Sequence, residues 1–284
     1  MNEVQTFVLE DSGIRGALVR LKETWQQVLA AHEYPPAVRA LLGEGVVSTL
    51  LLASGLKTTP SVSLQLQGQG PLKLLLVQCT DGQRVRGMAS FKAGAEGVPL
   101  LGDGRLVVNL DTGKANGLFQ GIVPLTSTKL EECLESYFAR SEQLETRLVL
   151  RSDEEHVGGL LLQVLPGHGD ERATDAFEAA ATCAATVTVA ELTGLSAEEL
   201  LPRLFAGHSI RLFTPRPVAH DCRCTPERLA GVVRMLGAEE VKTLLAEQGH
   251  VELKCEFCNR AFRYDDVQVD AIMRGTPQTS LAVH

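Results

Sequence analysis

Cys222-Arg223-Cys224, then thirty residues, then Cys255-Glu256-Phe257-Cys258 is the stretch that decides how the last part of this chain folds. Two short cysteine pairs on separate turns can converge on one ion. Four thiolates are the donor set that zinc takes in a closed structural site, and a closed shell leaves no position for a catalytic water. The pattern predicts one Zn2+ per chain on Cys222, Cys224, Cys255 and Cys258, and it disfavours a zinc hydrolase. The module around the cysteines, residues 219–284, is too short for a hydrophobic core alone to support well. Metal-coupled folding contributes on the order of 10 kcal/mol at neutral pH, enough to staple it.

The first pair has one residue between its cysteines where common zinc ribbons have about two to four. A Cys-x-Cys disulfide closes an unusually small ring. Zinc-bound thiolates keep nucleophilic character, so an oxidant that reaches them can form local disulfides and eject the ion. Spacing alone fits a permanently structural zinc equally well. His220 stands two residues before Cys222, but with four thiolates completing the shell it is read as a solvent-facing residue. Cys79 and Cys133 sit in apolar patterns and read as buried small hydrophobes, while Cys183 falls in a weak Ala/Thr helix.

Upstream, the apolar spacing from Ala37 to Ser54 predicts a helix entered through Pro35 and Pro36, closed at Gly55 and weakened by Gly43 and Gly45. Ser61 to Gln67 alternates with period two, a strand with one wet face. Leu72 to Cys79 reads as a more deeply buried strand, and Asp81-Gly82 as a hairpin turn into Arg84 to Ser90. Further strands are expected at Arg105 to Leu110, Arg147 to Arg151 and Leu160 to Leu165. Leu130, Cys133, Leu134, Tyr137 and Phe138 share one helical face behind a Thr128/Glu131 capping box.

After Gly167-His168-Gly169 the composition shifts. Thr174 to Leu192 is a helix crowded with Ala and Thr, and its β-branched run Thr186-Val187-Thr188-Val189 loses χ1 freedom there. A second helix starts at Ser196 with Glu199 completing its capping box, and Pro202 interrupts it. Such helices depend on docking for their order, although an ordinary interdomain connector would read the same way. The fold class is therefore α+β: an N-terminal mixed sheet-and-helix domain (1–166), a metastable helical linker (167–218) and a small C-terminal zinc-binding domain (219–284). If the linker unfolds it exposes Leu195, Leu200, Leu201, Leu204 and Phe205, an apolar set suited to binding non-native chains.

A net charge of -8 argues against a nucleic-acid partner. Around the cysteines, between Asp221 and Arg274, eight Lys or Arg face ten Asp or Glu, so no basic patch is evident. A zinc ribbon that binds a protein partner stays open on this evidence. No secretion signal is read in the opening Met1 to Gln5, and the most apolar window, Val46 to Ala53, is too short to span a bilayer, so no membrane association is expected. The expected compartment is the cytoplasm, where an odd number of cysteines, seven, points to metal or redox chemistry and away from a static disulfide framework. No glycine-rich phosphate loop, nucleophile elbow or carboxylate pair stands out, so the chain is not read as an enzyme. A thiol oxidoreductase using Cys255 and Cys258 is the enzymatic alternative, but its motif lies outside any βαβ unit and has two competing ligands upstream.

The cysteine arrangement resembles that of the heat shock protein 33 family of redox-regulated chaperones. So do Arg15-Gly16, Trp25, the segment Ser136 to Gln143, the segment Gly159 to Pro166, Arg211-Leu212-Phe213, Pro215-Arg216-Pro217, Phe257 and Tyr264. Thr225 stands where many relatives are expected to carry Ser. The resemblance implies a dormant zinc-bound monomer in which oxidation pairs Cys222 with Cys224 and Cys255 with Cys258. It further implies that zinc is released, that the switch and linker unfold, and that a dimeric, ATP-independent holdase then binds unfolding client proteins. Those clients would pass to ATP-dependent chaperones for refolding.

Overall fold

The computed structural model describes residues 1–56, 61–92, 100, 103–111, 117–167 and 171–275. Two compact units divide the chain, Met1–Asp221 and Cys222–His284. The three-part division expected from sequence thus meets a two-part packing in which the linker helices belong to the first unit's fold. His168 and Gly169, at the expected linker entrance, and the tail 276–284 lie outside the described residues.

The first unit opens with an antiparallel pair, β1 (Asn2–Leu9) and β2 (Ile14–Leu21), followed by a short helix α1 (Glu23–Leu29) and the long helix α2 (Pro36–Ser54). α2 begins on Pro36 at its first position and ends at Gly55, as the sequence predicts. Its two interior glycines have a packing reason. A Cβ on Gly43 would lie 2.6 Å from Val157 Cγ1, and one on Gly45 3.0 Å from Leu75 Cδ2, so backbone meets neighbours closely on two sides. α2 is long and apolar enough to cross a membrane, with mean hydropathy 1.4, but most of it is buried inside this unit as a core helix.

Six strands then build one sheet: β3 (Ser61–Gly68), β4 (Leu72–Thr80), β5 (Arg84–Phe91), β6 (Gly104–Asp111) and β7 (Leu118–Pro124), joined at the edge beside β5 by a later two-residue strand. Asp81 and Gly82 both take positive φ, 55° and 67°, the backbone that the predicted hairpin requires. β4 is not buried on both faces. Its buried residues alternate, Leu72, Leu75, Val77 and Cys79 facing α2. Helix α3 (Leu130–Tyr137) buries Leu130, Cys133, Leu134 and Tyr137, and runs into a π-helical turn, Phe138–Glu142. The Thr128/Glu131 capping box does not form, because the helix starts one residue later, with Lys129 at its N-cap. Glu131 instead accepts from Leu150 N at 3.2 Å, and Glu135, one turn on, accepts from Leu148 N at 2.8 Å.

Those amides belong to β8 (Thr146–Ser152), which pairs with β9 (Val157–Val164), and β9 pairs with β2. In this second sheet α2 packs on one face, against Ala17, Val19, Leu148, Leu150 and Leu161. The other face carries the linker helices α4 (Glu171–Ala185), α5 (Val189–Gly194) and α6 (Ala197–Leu204). The single helix expected from Thr174 to Leu192 is broken at its β-branched run. α4 stops at Ala185, and Thr188 caps α5 in a capping box with Glu191. The Ser196/Glu199 box is present as predicted, and α6 runs through Pro202 to Leu204 rather than stopping there. The chain then laces both sheets: β10 (Ile210–Leu212) and β11 (Arg216–Pro217) pair with β1, and β12 (Ala219–His220) pairs with β5.

In the second unit, α7 (Pro226–Leu236) and α8 (Ala238–Gln248) precede a hairpin, β13 (Val251–Lys254) and β14 (Ala261–Tyr264), and α9 (Asp266–Met273). Its core is small: Leu229, Ala230, Val233, Val241, Val251, Phe262, Tyr264, Val269 and Ile272, with Cys255.

Candidate metal centre

Each cysteine pair is positioned by a local device. Cys222 and Cys224 precede Thr225, whose hydroxyl accepts from Arg228 N at 3.3 Å as the N-cap of α7, with Pro226 at the first helical position. Thr supplies the same capping hydroxyl as Ser, so Thr225 keeps this device. Arg228 Nη1 donates to Arg223 O at 3.0 Å, tying the Cys-x-Cys turn to the same helix. Cys255 and Cys258 sit at the tip of the β13/β14 hairpin. There Cys255 N donates to Arg260 O (3.0 Å) and Asn259 N to Cys255 O (2.7 Å), and Asn259 adopts a left-handed φ of 55°. Tyr264 Oη donates to Pro226 O at 2.9 Å, bridging hairpin and helix within the core.

These devices bring the four sulfurs within 4.8 Å of one another. Cys222 Sγ lies 3.6 Å from Cys255 Sγ, and Cys224 Sγ lies 3.3 Å from Cys258 Sγ. A tetrahedron of Zn–S bonds of about 2.3 Å has edges of about 3.8 Å, so the cluster has the size of such a shell. Burial, followed by the adjacent Cys258 and Cys222 sulfurs, pushes the Cys224 thiol well above its usual range. Four sulfurs this close hold charge together only when a cation compensates them, and the donor set fits a thiophilic metal.

The four ligands read from sequence are thus brought together, and all seven cysteines are free thiols. His220 is half-buried in β12 of the first unit, not solvent-facing as expected, and burial lowers its pKa. Cys79 and Cys133 are fully buried, with Cys79 pushed up to about 12 by desolvation, while Cys183 is exposed. Leu195, Leu200, Leu201, Leu204 and Phe205 gather on the outer face of the second sheet against Phe7, Leu18, Leu160 and Leu162. Sequence reasoning missed that underlying face. It also missed Arg20, whose guanidinium pairs with Glu3 and donates to Leu195 O, holding the α5–α6 junction.

Fold and site together define a two-unit α+β protein whose C-terminal unit carries a cluster of four cysteines able to hold a metal ion. The profile of the Hsp33 protein family matches residues 2–265. The 33 kDa chaperonin of Shewanella sediminis is 39% identical over 98% of each chain, and that of Shewanella woodyi 40% identical over the same shares. The crystal structure of the 33 kDa chaperonin, a heat shock protein 33 homologue, of Thermotoga maritima superposes with a TM-score of 0.83. At 21% identity it covers 97% of this chain and 99% of that one, which supports the fold. The chain belongs to the Hsp33 family, a family of chaperones rather than of enzymes.

Proposed function

We propose that this protein is a redox-regulated, ATP-independent holdase of the cytoplasm that protects unfolding proteins from aggregation under oxidative stress. The observation that carries the reading is the convergence of four sulfurs in a unit with so small a core. Zn2+, bound by Cys222, Cys224, Cys255 and Cys258, supplies the charge compensation that lets four thiolates share one site. Oxidation joins Cys222 Sγ to Cys224 Sγ and Cys255 Sγ to Cys258 Sγ. Each pair gives two electrons to one peroxide, which with two protons becomes two waters. The donors are then lost, and with them on the order of 10 kcal/mol of metal-coupled folding.

Coupling to the first unit runs through the chain itself. Cys222 directly follows the strap of β10, β11 and β12, which covers the β1 and β5 edges. Once the strap and linker loosen, Leu195, Leu200, Leu201, Leu204 and Phe205 are uncovered, and so is the sheet face of Phe7, Leu18, Leu160 and Leu162 beneath them. The resemblance to the family further supports an oxidised homodimer and hand-over of clients to ATP-dependent chaperones. The test follows zinc with a chromogenic chelator during peroxide treatment at mildly raised temperature, with light scattering from an aggregating client in the same sample. Release of about one equivalent of zinc per chain, concurrent with holding activity and reversed by thiol reductant, is the expected result. Zinc that stays bound, or leaves without a gain in holding, leaves a purely structural site.

A further inference from the structure

Between the two sheets of the first unit, at the C-terminal end of α2, lies a cavity of about 200 Å³. Its lining is mostly apolar, chiefly Leu52, Leu56, Leu110, Phe138 and Leu161, with Arg15 and Gln163 supplying polar groups, and it is partly open to solvent. Among the described residues that line it, one is charged: Arg15, on the inner face of β2. The Arg15 guanidinium donates through Nε (2.8 Å) and Nη2 to Gln163 Oε1. Gln163 is locked in that role, because its Nε2 donates to Thr146 Oγ1 at 2.7 Å. The partner of the guanidinium is therefore a neutral amide. No described carboxylate pairs with Arg15, and its Nη1 has no protein partner among the described residues.

A guanidinium stays charged in any protein environment, and burial without a counter-charge is unfavourable. The end of α2 offsets part of the cost: Gly55, where a Cβ would lie 2.6 Å from Nη1, admits the guanidinium against the last turn, whose dipole amounts to about half a negative charge. The rest has no counter-charge among the described residues, and the part-buried guanidinium faces the chamber. Three segments converge on this chamber, those of Arg15-Gly16, Ser136 to Gln143 and Gly159 to Pro166. All three carry the sequence resemblance, yet none contributes to the metal cluster.

We propose that the cavity is a binding site for a small apolar monocarboxylic acid, its carboxylate accepting from Arg15 Nη1 and Nη2 and its hydrocarbon lying among Leu52, Leu56, Leu110, Phe138 and Leu161. Size sets the class: a dry apolar cavity of about 150 Å³ accommodates benzene, so this one takes a single ring or a chain of about five or six carbons. A dicarboxylate of similar length is disfavoured because its second charge would lie among those apolar side chains without a partner. An alcohol of equal length leaves the cation as it was.

The experiment uses the full-length, reduced, zinc-loaded protein. Calorimetric titration and thermal unfolding are run with benzoate and hexanoate, and with hexanol and adipate as controls. Saturable binding at one site is expected, with a rise in the unfolding temperature, and with hexanol and adipate at least about tenfold weaker. R15Q weakens hexanoate at least about tenfold and R15K by less, since the ammonium keeps the charge but not the fork. L56W fills the apolar end with Arg15 intact and abolishes binding without changing zinc content, which keeps the test decisive even if R15Q fails to fold. The proposal is overturned if neither acid binds saturably at millimolar concentration, if hexanol binds as tightly as hexanoate, or if L56W binds like the parent.

Discussion

Phe205 is where the docking of the linker can be weakened without touching the metal site. It follows α6, is 2% exposed, and its ring lies 5.8 Å from that of Phe7 on the outer sheet face. Truncating a buried Phe to Ala costs about 3–5 kcal/mol, and the lower figure applies where neighbours can settle into the space, as at the end of a short helix. A loss of about 3 kcal/mol shifts the opening equilibrium of the α5–α6 segment about 150-fold. Hydrogen exchange reads this directly. The Leu200 amide, bonded to Ser196 O at 2.9 Å, should exchange about two orders of magnitude faster in F205A, while amides of β2 and β9 keep their protection. Zinc content should be unchanged. If docking is what hides the client surface, reduced F205A should also suppress client aggregation measurably without oxidant. Unchanged exchange at Leu200 would refute the energetic argument, and faster exchange with no holding activity would remove Leu195, Leu200, Leu201, Leu204 and the sheet beneath them from the client surface.

Other substitutions address other links in the chain of argument. C258S removes one of the four donors, so the protein should retain well under one zinc per chain after gel filtration. The second unit should lose its dispersed amide signals while the two sheets of the first keep theirs, and full zinc with intact signals in the second unit would mean that the donor set is wrong. In G16A the new Cβ would lie 2.1 Å from Phe7 Cζ, and overpacking of this kind costs about 1–3 kcal/mol, lowering the unfolding temperature by several degrees. An unchanged melting temperature would show that Phe7 moves freely. Glu44 on α2 has its pKa raised to about 7, first by burial and then by the Glu131 carboxylate, with Arg151 opposing. The folded protein therefore holds a proton that the unfolded chain releases near 4.5, so stability falls as pH rises from about 4.5 through about 7, by on the order of 3 kcal/mol. E44Q should flatten that decline and be the more stable form at pH 8; identical pH profiles in thermal melts would contradict it.

What could be read in the sequence follows from how local its causes are. The cysteine cluster was legible because thiolate coordination constrains residue type and spacing within each pair, and the devices that shape each pair are local: an N-cap at Thr225 and a tight turn through Asn259. β3 and the turn at Asp81-Gly82 were legible for the same reason, since one wet face preserves period two and a left-handed turn demands particular residues. β1 and β2 were not read, because their sheet is covered on both faces. Val4 points towards α2 while Phe7 and Leu9 point towards the linker helices, so apolar residues occupy both phases of the alternation.

Glu131 shows how a local rule is outcompeted. Thr128 and Glu131 have the spacing of a capping box, worth about 1 kcal/mol at a solvated helix end. Leu148 and Leu150 lie on an edge strand whose outward amides need acceptors, and a buried amide left without one costs about 1–3 kcal/mol. Glu131 and Glu135, four apart on one face of α3, satisfy both amides at once, so the helix starts one residue later and gives up its cap. The edge strand that wins this competition is joined to Glu131 only by tertiary packing, nineteen residues further along the chain. A window short enough to show the capping box therefore cannot contain the group that displaces it. The same physics explains the break at Thr186: Arg151, on that edge strand, donates to Val187 O at 3.0 Å and Ala185 O at 3.0 Å. Those carbonyls are left free where α4 ends, so the β-branched run that weakens the helix and the arginine that rewards its ending act at one place.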